Sequence, residues 1–288
     1  MGTLTALAPS EALRGLLQGY STEVIGRDRK SIEAAPELLP RGAEVFIAAV
    51  PGESVDRVIA AAAQLREGGL IPVPHLAARN FASLRDVDRA LGRLRDEAGV
   101  DRVLALGGDR DRPAGELHCS QQLIESGVFQ NHGIGKLFIA CYPEGHPRVS
   151  DEVLEAARAA KLRIAGEEGL DVTLVSQFCF DAAPIIGLAG RLRAQGIRAP
   201  YRVGVAGPAE RATLVKFALM CGVGASLRGL KERQALAKTV LAGETPEALL
   251  AEVGAAQIET PALNITGAHF FTFGGLAKSA NWAERMRR

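Results

Sequence analysis

Short apolar runs rich in Val, Ile, Leu and Phe recur along this chain. They fall at Ser21–Ile25, Glu44–Val50, Ile71–Leu76, Arg102–Leu106, Leu137–Cys141, Val172–Phe180, Tyr201–Ala206 and Ala262–Phe273. Between the first seven lie segments of about 20 to 30 residues, room for one helix and two loops, as βα repeats require. Near-continuous apolar strands suit a parallel sheet covered by helices on its outer face. This rhythm predicts a (β/α)8 barrel, a fold that needs about 250 residues and fits in the 288 present. One domain over residues 1–288 is expected, without repeats or linkers.

The helical segments carry readable ends. The stretch from Glu53 to Arg66 places Val55, Ile59, Ala62 and Leu65 at helical spacing and stops at Gly68-Gly69. Ser150-Asp151-Glu152 reads as a cap followed by early acids, and Thr245-Pro246-Glu247 as a cap followed by proline. Residues Thr5–Gln18 predict a helix ahead of the first strand, at the barrel bottom. Ala209–Cys221, Leu227–Ala242 and Pro246–Val253 predict extra helices between strands seven and eight.

Composition excludes more than it selects. With 47% hydrophobic and 23% charged residues and a net charge of +1, the chain has no overall field to draw in nucleic acid or an acidic membrane. Cys119, Cys141, Cys179 and Cys221 are far apart with no CxxC spacing, so neither a disulfide framework nor a metal site is expected. There is no N-terminal leader pattern and no apolar run of about 18 residues, which predicts a cytoplasmic protein. A homo-oligomer is left open.

What stands at the strand ends is the second constraint. Pro72-Val-Pro-His75, Leu104-Ala-Leu-Gly107-Gly108-Asp109, Cys141-Tyr142-Pro-Glu-Gly-His146-Pro147 and Val175-Ser-Gln177-Phe178-Cys-Phe-Asp181 each deliver polar groups just where a strand finishes. Several strands doing so at one end is how barrel active sites are built. Glu23 lies within the first strand, pointing either into the barrel or out to a helix; in a closed apolar site its pKa would rise into the range of a general acid. His75 and His146 end their strands but lack a third ligand at metal spacing. Gln177 offers both a donor and an acceptor, which suits the amide-like edge of a heterocycle. No P-loop, GxGxxG unit or nucleophile with its base is present.

In order along the chain, Pro-His-Leu at 74–76, Gly-Asp at 108–109, Tyr-Pro-Glu-x-His-Pro at 142–147 and Gln-Phe-x-Phe-Asp at 177–181 resemble the methylenetetrahydrofolate reductase family, flavin-dependent barrels. The resemblance runs from about Ser21 to Thr272. It implies an oxidoreductase interconverting 5,10-methylene- and 5-methyl-tetrahydrofolate, with non-covalent FAD and with NADH or NADPH as co-substrate. Glu23 would be the acid that opens the methylene bridge, and Asp109 would stabilise cationic species. His75, Gly107, Gly108, Asp109, His118, Cys119, Tyr142 and His146 would line the flavin, and Asp109, Gln177, Phe178 and Thr213 would contact substrate. Direct hydride transfer without flavin, and a folate- or flavin-binding barrel without catalysis, are the alternatives.

The chain also departs from that pattern. Gly107 stands where the family commonly has arginine, and Ala49 where a threonine would touch the flavin. Leu162, Ala165 and Gly166 fall where polar and basic groups meet the flavin tail, with Lys161 and Arg163 close by. Gly274-Gly275 replaces an arginine that contacts folate, and Thr213 a glutamine. A weaker grip on FAD is therefore expected.

Overall fold

The computed structural model describes residues 9–50, 52–223 and 245–288. Eight parallel strands close a barrel in the order β1 to β8: Ser21–Ile25, Glu44–Ala48, Ile71–Ala77, Arg102–Leu106, Lys136–Cys141, Asp171–Ser176, Tyr201–Ala206 and Ile265–Phe271. Among the described residues the α-helices are α1 Pro9–Leu17, α2 Arg29–Leu38, α3 Val55–Glu67, α4 Leu84–Ala98, α5 Ser120–Glu125, α6 Val128–Asn131, α7 Asp151–Glu167, α8 Ala182–Ala194, α9 Arg211–Met220, α10 Glu247–Glu259 and α11 Leu276–Arg287. The expected barrel is present; α1 precedes β1, and α9 and α10 lie between β7 and β8. Residues 5–8 of the expected first helix and the expected helix at 227–242 lie outside the described residues.

Helix ends follow local chemistry. Ser54 and Ser83 accept the N–H groups of Arg57 and Asp86 and start α3 and α4. Asp181 accepts from Ala183 and starts α8, so that acid is a cap. Gly99 at φ 56° ends α4 in the left-handed conformation that glycine adopts without penalty. The cap of α10 is Pro246, one residue beyond the expected Thr245.

Three strands end short of their apolar runs. β6 stops at Ser176, not Phe180, because the Gln177 side-chain oxygen takes up the Phe178 N–H at 3.1 Å and the ladder is interrupted, leaving only an isolated bridge from Cys179 to Val205. The run expected at Ala262–Phe273 opens with a 3₁₀ turn, Pro261–Leu263, and Asn264 at φ 54°, so β8 starts at Ile265. It ends before Phe273, a non-glycine residue at φ 50°. β2 stops at Ala48, leaving Ala49 just past its end.

The residues group into two compact units. One comprises Ser21–Cys141 and Arg148–Val175. Its strand register sets an inner face: Glu23 pairs with Phe46, Phe46 with Val73, His75 with Leu104, and Leu104 with Phe138. Partners across a parallel ladder share a face, and Phe46, Val73, Leu104, Phe138 and Val175 form one buried cluster. Burying side chains of this size stabilises by about 1.5–3 kcal/mol each. At the amino ends of its strands Glu44 is ion-paired with Arg102 at 2.7 Å.

The other unit comprises Met1–Tyr20, Tyr142–Pro147 and Ser176–Arg288. Here α1 packs on α10, α11 and β8. Gly254 allows that contact, since a Cβ there would fall 2.5 Å from the Ala12 carbonyl oxygen. Phe270 faces the helices, edge-on to Tyr20 and Trp282. His269 and Phe271 therefore turn to the opposite side of β8. Among the described residues no helix is long and apolar enough to cross a membrane.

Candidate active site

Glu23 is the third residue of β1, on the face it shares with Phe46. Its carboxylate oxygen lies 3.8 Å from Nε2 of His75, the fifth residue of β3, and the two side chains are only 16% and 8% exposed. Burial pushes Glu23 up to about 8 and His75 down to about 3. Both groups are therefore neutral at pH 7, and His75 Nε2 has no hydrogen-bond partner among the described residues. The inward reading of Glu23 is the one the fold adopts. Phe46 meets the His75 ring edge-on at 6.0 Å and fixes its plane.

Gly107, Gly108 and Asp109 follow β4 directly. Gly108 sits at φ 97°, and a Cβ there would fall 3.1 Å from the Ala77 Cβ, a conformation and a closeness that favour glycine. Asp109 is exposed, and its carboxylate makes no hydrogen bond or ion pair among the described residues. His118 and Cys119 are exposed just ahead of α5; both backbone N–H groups donate to the Gln122 side-chain oxygen, at 2.7 and 3.1 Å.

A second cluster in the same unit pairs Lys161, noted in the sequence, with Arg158, which sequence reasoning missed. Arg158 and Lys161 stand one turn apart on the buried side of α7. Arg158 is 3.9 Å from Glu155. Burial lowers the pKa of Lys161, while Cys119 and Cys141 nearby raise it and Arg158 lowers it further. Among the described residues Lys161 makes no ion pair. Cys141 is pushed up to about 12 by burial, against the pull of the same two cations. Arg163, by contrast, is exposed and paired with Glu167 at 2.7 Å. The signal that could have found the pair is its spacing: i and i+3 on a helix share a face.

In the other unit Tyr142 and His146 meet edge-on with ring centroids 5.1 Å apart. The turn between them is closed by Gly145 N–H to the Tyr142 carbonyl. Gln177 follows β6 directly; its side-chain oxygen is occupied by Phe178 N–H, and its NH₂ makes no hydrogen bond among the described residues. Phe178 is buried at the centre of an aromatic cluster, 5.3 Å from both Phe271 and Phe273, while Phe217 stacks on Phe273 at 4.5 Å. Thr213 and Phe217, four residues apart on α9, share one helix face. Gly204 makes room for Phe271, because a Cβ there would lie 2.9 Å from its ring. Among the described residues no cluster of three or more His, Cys, Asp or Glu could hold a metal ion.

Residues 30–226 match the family model described as methylenetetrahydrofolate reductase, more than half of the chain. The chain belongs to the methylenetetrahydrofolate reductase family. It is thereby a folate-related oxidoreductase of that family. The match spans every site residue expected from the sequence except Glu23, which precedes it. Among solved structures, the dihydropteroate synthase of Thermus thermophilus aligns over 92% of this chain and 92% of its own, at 16% identity and a TM-score of 0.49.

Proposed function

We propose that this reductase-family barrel moves a hydride from NADH or NADPH to the one-carbon unit of methylene-tetrahydrofolate, with FAD bound non-covalently. The observation that carries this reading is the inward carboxyl of Glu23, raised to about 8 by burial beside a neutral His75. A protonated acid near neutral pH is what opening a methylene bridge needs. Glu23 gives its proton to one bridge nitrogen, the carbon–nitrogen bond breaks, and an iminium remains on the other nitrogen. Hydride addition to that carbon yields the methyl group. His75 contributes by staying uncharged: a cation at 3.8 Å would strip the proton from Glu23 before substrate arrived.

The other residues orient the reactants. Asp109, with its carboxylate unengaged, faces the cationic iminium. Gln177 donates from its NH₂, the half of the amide that Phe178 leaves unused. Thr213 stands on the substrate side of α9. Phe178 backs the aromatic wall against which flat rings stack. His75, the Gly107-Gly108 turn, His118, Cys119, Tyr142 and His146 line the flavin. FAD, when bound, supplies two-electron transfer between nicotinamide and folate. The chain fits that group: the buried Arg158 and the half-buried Lys161 are cations that repel one another, and a diphosphate would neutralise them.

The test is a titration of flavin-free protein with FAD, followed by flavin fluorescence, alongside NAD(P)H-driven formation of methyl-tetrahydrofolate. Saturable binding in the micromolar range with FAD-dependent turnover is expected. Turnover at full rate without flavin would replace this reading by direct hydride transfer. FAD binding without folate turnover would leave only a binding barrel.

A further inference from the structure

The charged loop that follows β4 is strapped down over its whole length. Arg79, in the 3₁₀ turn Ala78–Asn80 just after β3, donates from Nε to the His118 carbonyl at 2.9 Å and from Nη1 to the Arg110 carbonyl at 3.0 Å. Its backbone joins in: Arg79 N–H donates to the Gly107 carbonyl, and the Arg79 carbonyl accepts from Ala114 N–H, both at 2.9 Å. Nearby Ala82 accepts from Glu116 N–H, and Gly115 lies so close that a Cβ would fall 1.9 Å from the Ala82 oxygen. The segment is thus pinned at 107, 110, 114, 116 and 118, all by the stretch 79–82.

We propose that Arg79 is a positioning residue that sets where Asp109 stands. The inference rests on the role given to Asp109 above. Asp109 makes no side-chain bond among the described residues, so the backbone on either side locates it. That backbone is held at Gly107 by the Arg79 amide and at Arg110 by the Arg79 guanidinium. The charges nearby make the choice of partner informative. The segment carries Asp109, Asp111 and Glu116, yet Arg79 ion-pairs with none of them, while Asp111 pairs with Arg148 at 2.8 Å. Arg79 instead directs its fork at two carbonyls far apart along the loop. A guanidinium presents several donors in a fixed plane and can span two such acceptors, whereas a lysine ammonium is a single point. The side chain therefore closes the loop and leaves the Asp109 carboxylate at its rim without neutralising it.

The experiment compares wild type, Arg79→Lys, Arg79→Met, Asp109→Asn and the double variant Arg79→Met/Asp109→Asn. Two readings are taken: amide hydrogen exchange over 107–119, and NAD(P)H-driven folate turnover. Both Arg79 variants should speed exchange in 107–119 and leave β4 and β5 protected. They should lower kcat by about 10- to 100-fold with lysine giving no rescue, in line with the cost of misplacing a reacting group. The double variant should be no slower than Asp109→Asn alone, because Arg79 acts through that carboxylate. Unchanged exchange over 107–119 overturns the strap and leaves the proposed reaction standing. Multiplicative losses in the double variant overturn the route through Asp109. Wild-type turnover by Asp109→Asn removes Asp109 from the mechanism, and the Arg79 assignment goes with it.

Discussion

An acid that must release its proton near neutral pH needs neighbours that neither neutralise it nor pull the proton away early. Glu23 lies on the inner face that carries an apolar cluster, beside an imidazole that burial keeps uncharged. With the carboxyl raised to about 8, the fraction able to donate falls as pH rises through 8. Wild-type folate turnover should therefore decline on the alkaline side with an apparent pKa near that value. Glu23→Gln should abolish that limb, keep the fold, and reduce folate turnover by about 10²–10⁴-fold. Oxidation of NAD(P)H by a small quinone should survive in it, since no folate is protonated there. Near wild-type folate turnover by the variant would exclude Glu23 as the acid. The residue type and strand were readable from sequence, but its direction was not. One step of register decides whether a strand residue faces core or helix, and only the pairing of Glu23 with Phe46 settles it. Gln177 is a similar case: the amide was legible, but which of its two ends Phe178 occupies was not.

At the scale of elements, α7 shows why aligning letters to a pattern undervalued the chain. Position by position, Leu162, Ala165 and Gly166 stood where basic groups would meet a flavin tail, with Lys161 and Arg163 close by. On the helix, Arg158 and Lys161 occupy the buried side, and Arg163 turns outward to Glu167. A half-buried lysine whose charge is disfavoured by desolvation, and which has no ion pair among the described residues, costs folding energy unless a ligand offsets it. Lys161→Met should then weaken FAD binding by about 10- to 100-fold, as expected for a charge-assisted bond worth about 1.5–3 kcal/mol. It should also flatten the salt dependence of binding, and it should raise the melting temperature of the flavin-free protein by relieving the buried charge. Arg163→Met should do none of these, being exposed and locally paired. Equal effects of the two substitutions on FAD fluorescence titrations would refute the assignment. Strand limits failed for a related reason: apolar letters continue past Ser176, but chain geometry does not, once Gln177 folds back on its own backbone.

For the whole molecule, the βα rhythm carried the barrel, because apolar runs at regular spacing leave few other ways to bury them. What the rhythm could not carry is the cost of placing Glu23 and His75 on its inner strands. Folding stability rises with pH wherever the unfolded chain holds more protons than the folded one, and falls where it holds fewer. His75 has a depressed folded pKa, so from about 3 up to its unfolded value of 6.5 the unfolded chain holds the extra proton and stability climbs. Glu23 has a raised folded pKa, so from its unfolded value of 4.5 up to about 8 the folded chain holds the extra proton and stability drops. Between 4.5 and 6.5 the two slopes oppose and cancel. Their joint contribution is thus a plateau, with an acid limb belonging to His75 and an alkaline limb belonging to Glu23, each of about 1.4 kcal/mol per pH unit at most. Substituting one residue should remove one limb. Glu23→Gln should gain stability over wild type at pH 8 and none at pH 4, whereas His75→Gln should gain at pH 4 relative to pH 7. Denaturant unfolding of the three proteins at pH 4, 5.5, 7 and 8 measures this. If the Glu23→Gln difference did not grow between pH 5.5 and 8, the carboxyl would be titrating in the folded barrel as it does in the unfolded chain. A proton donor held ready by burial would then be the wrong account of this site.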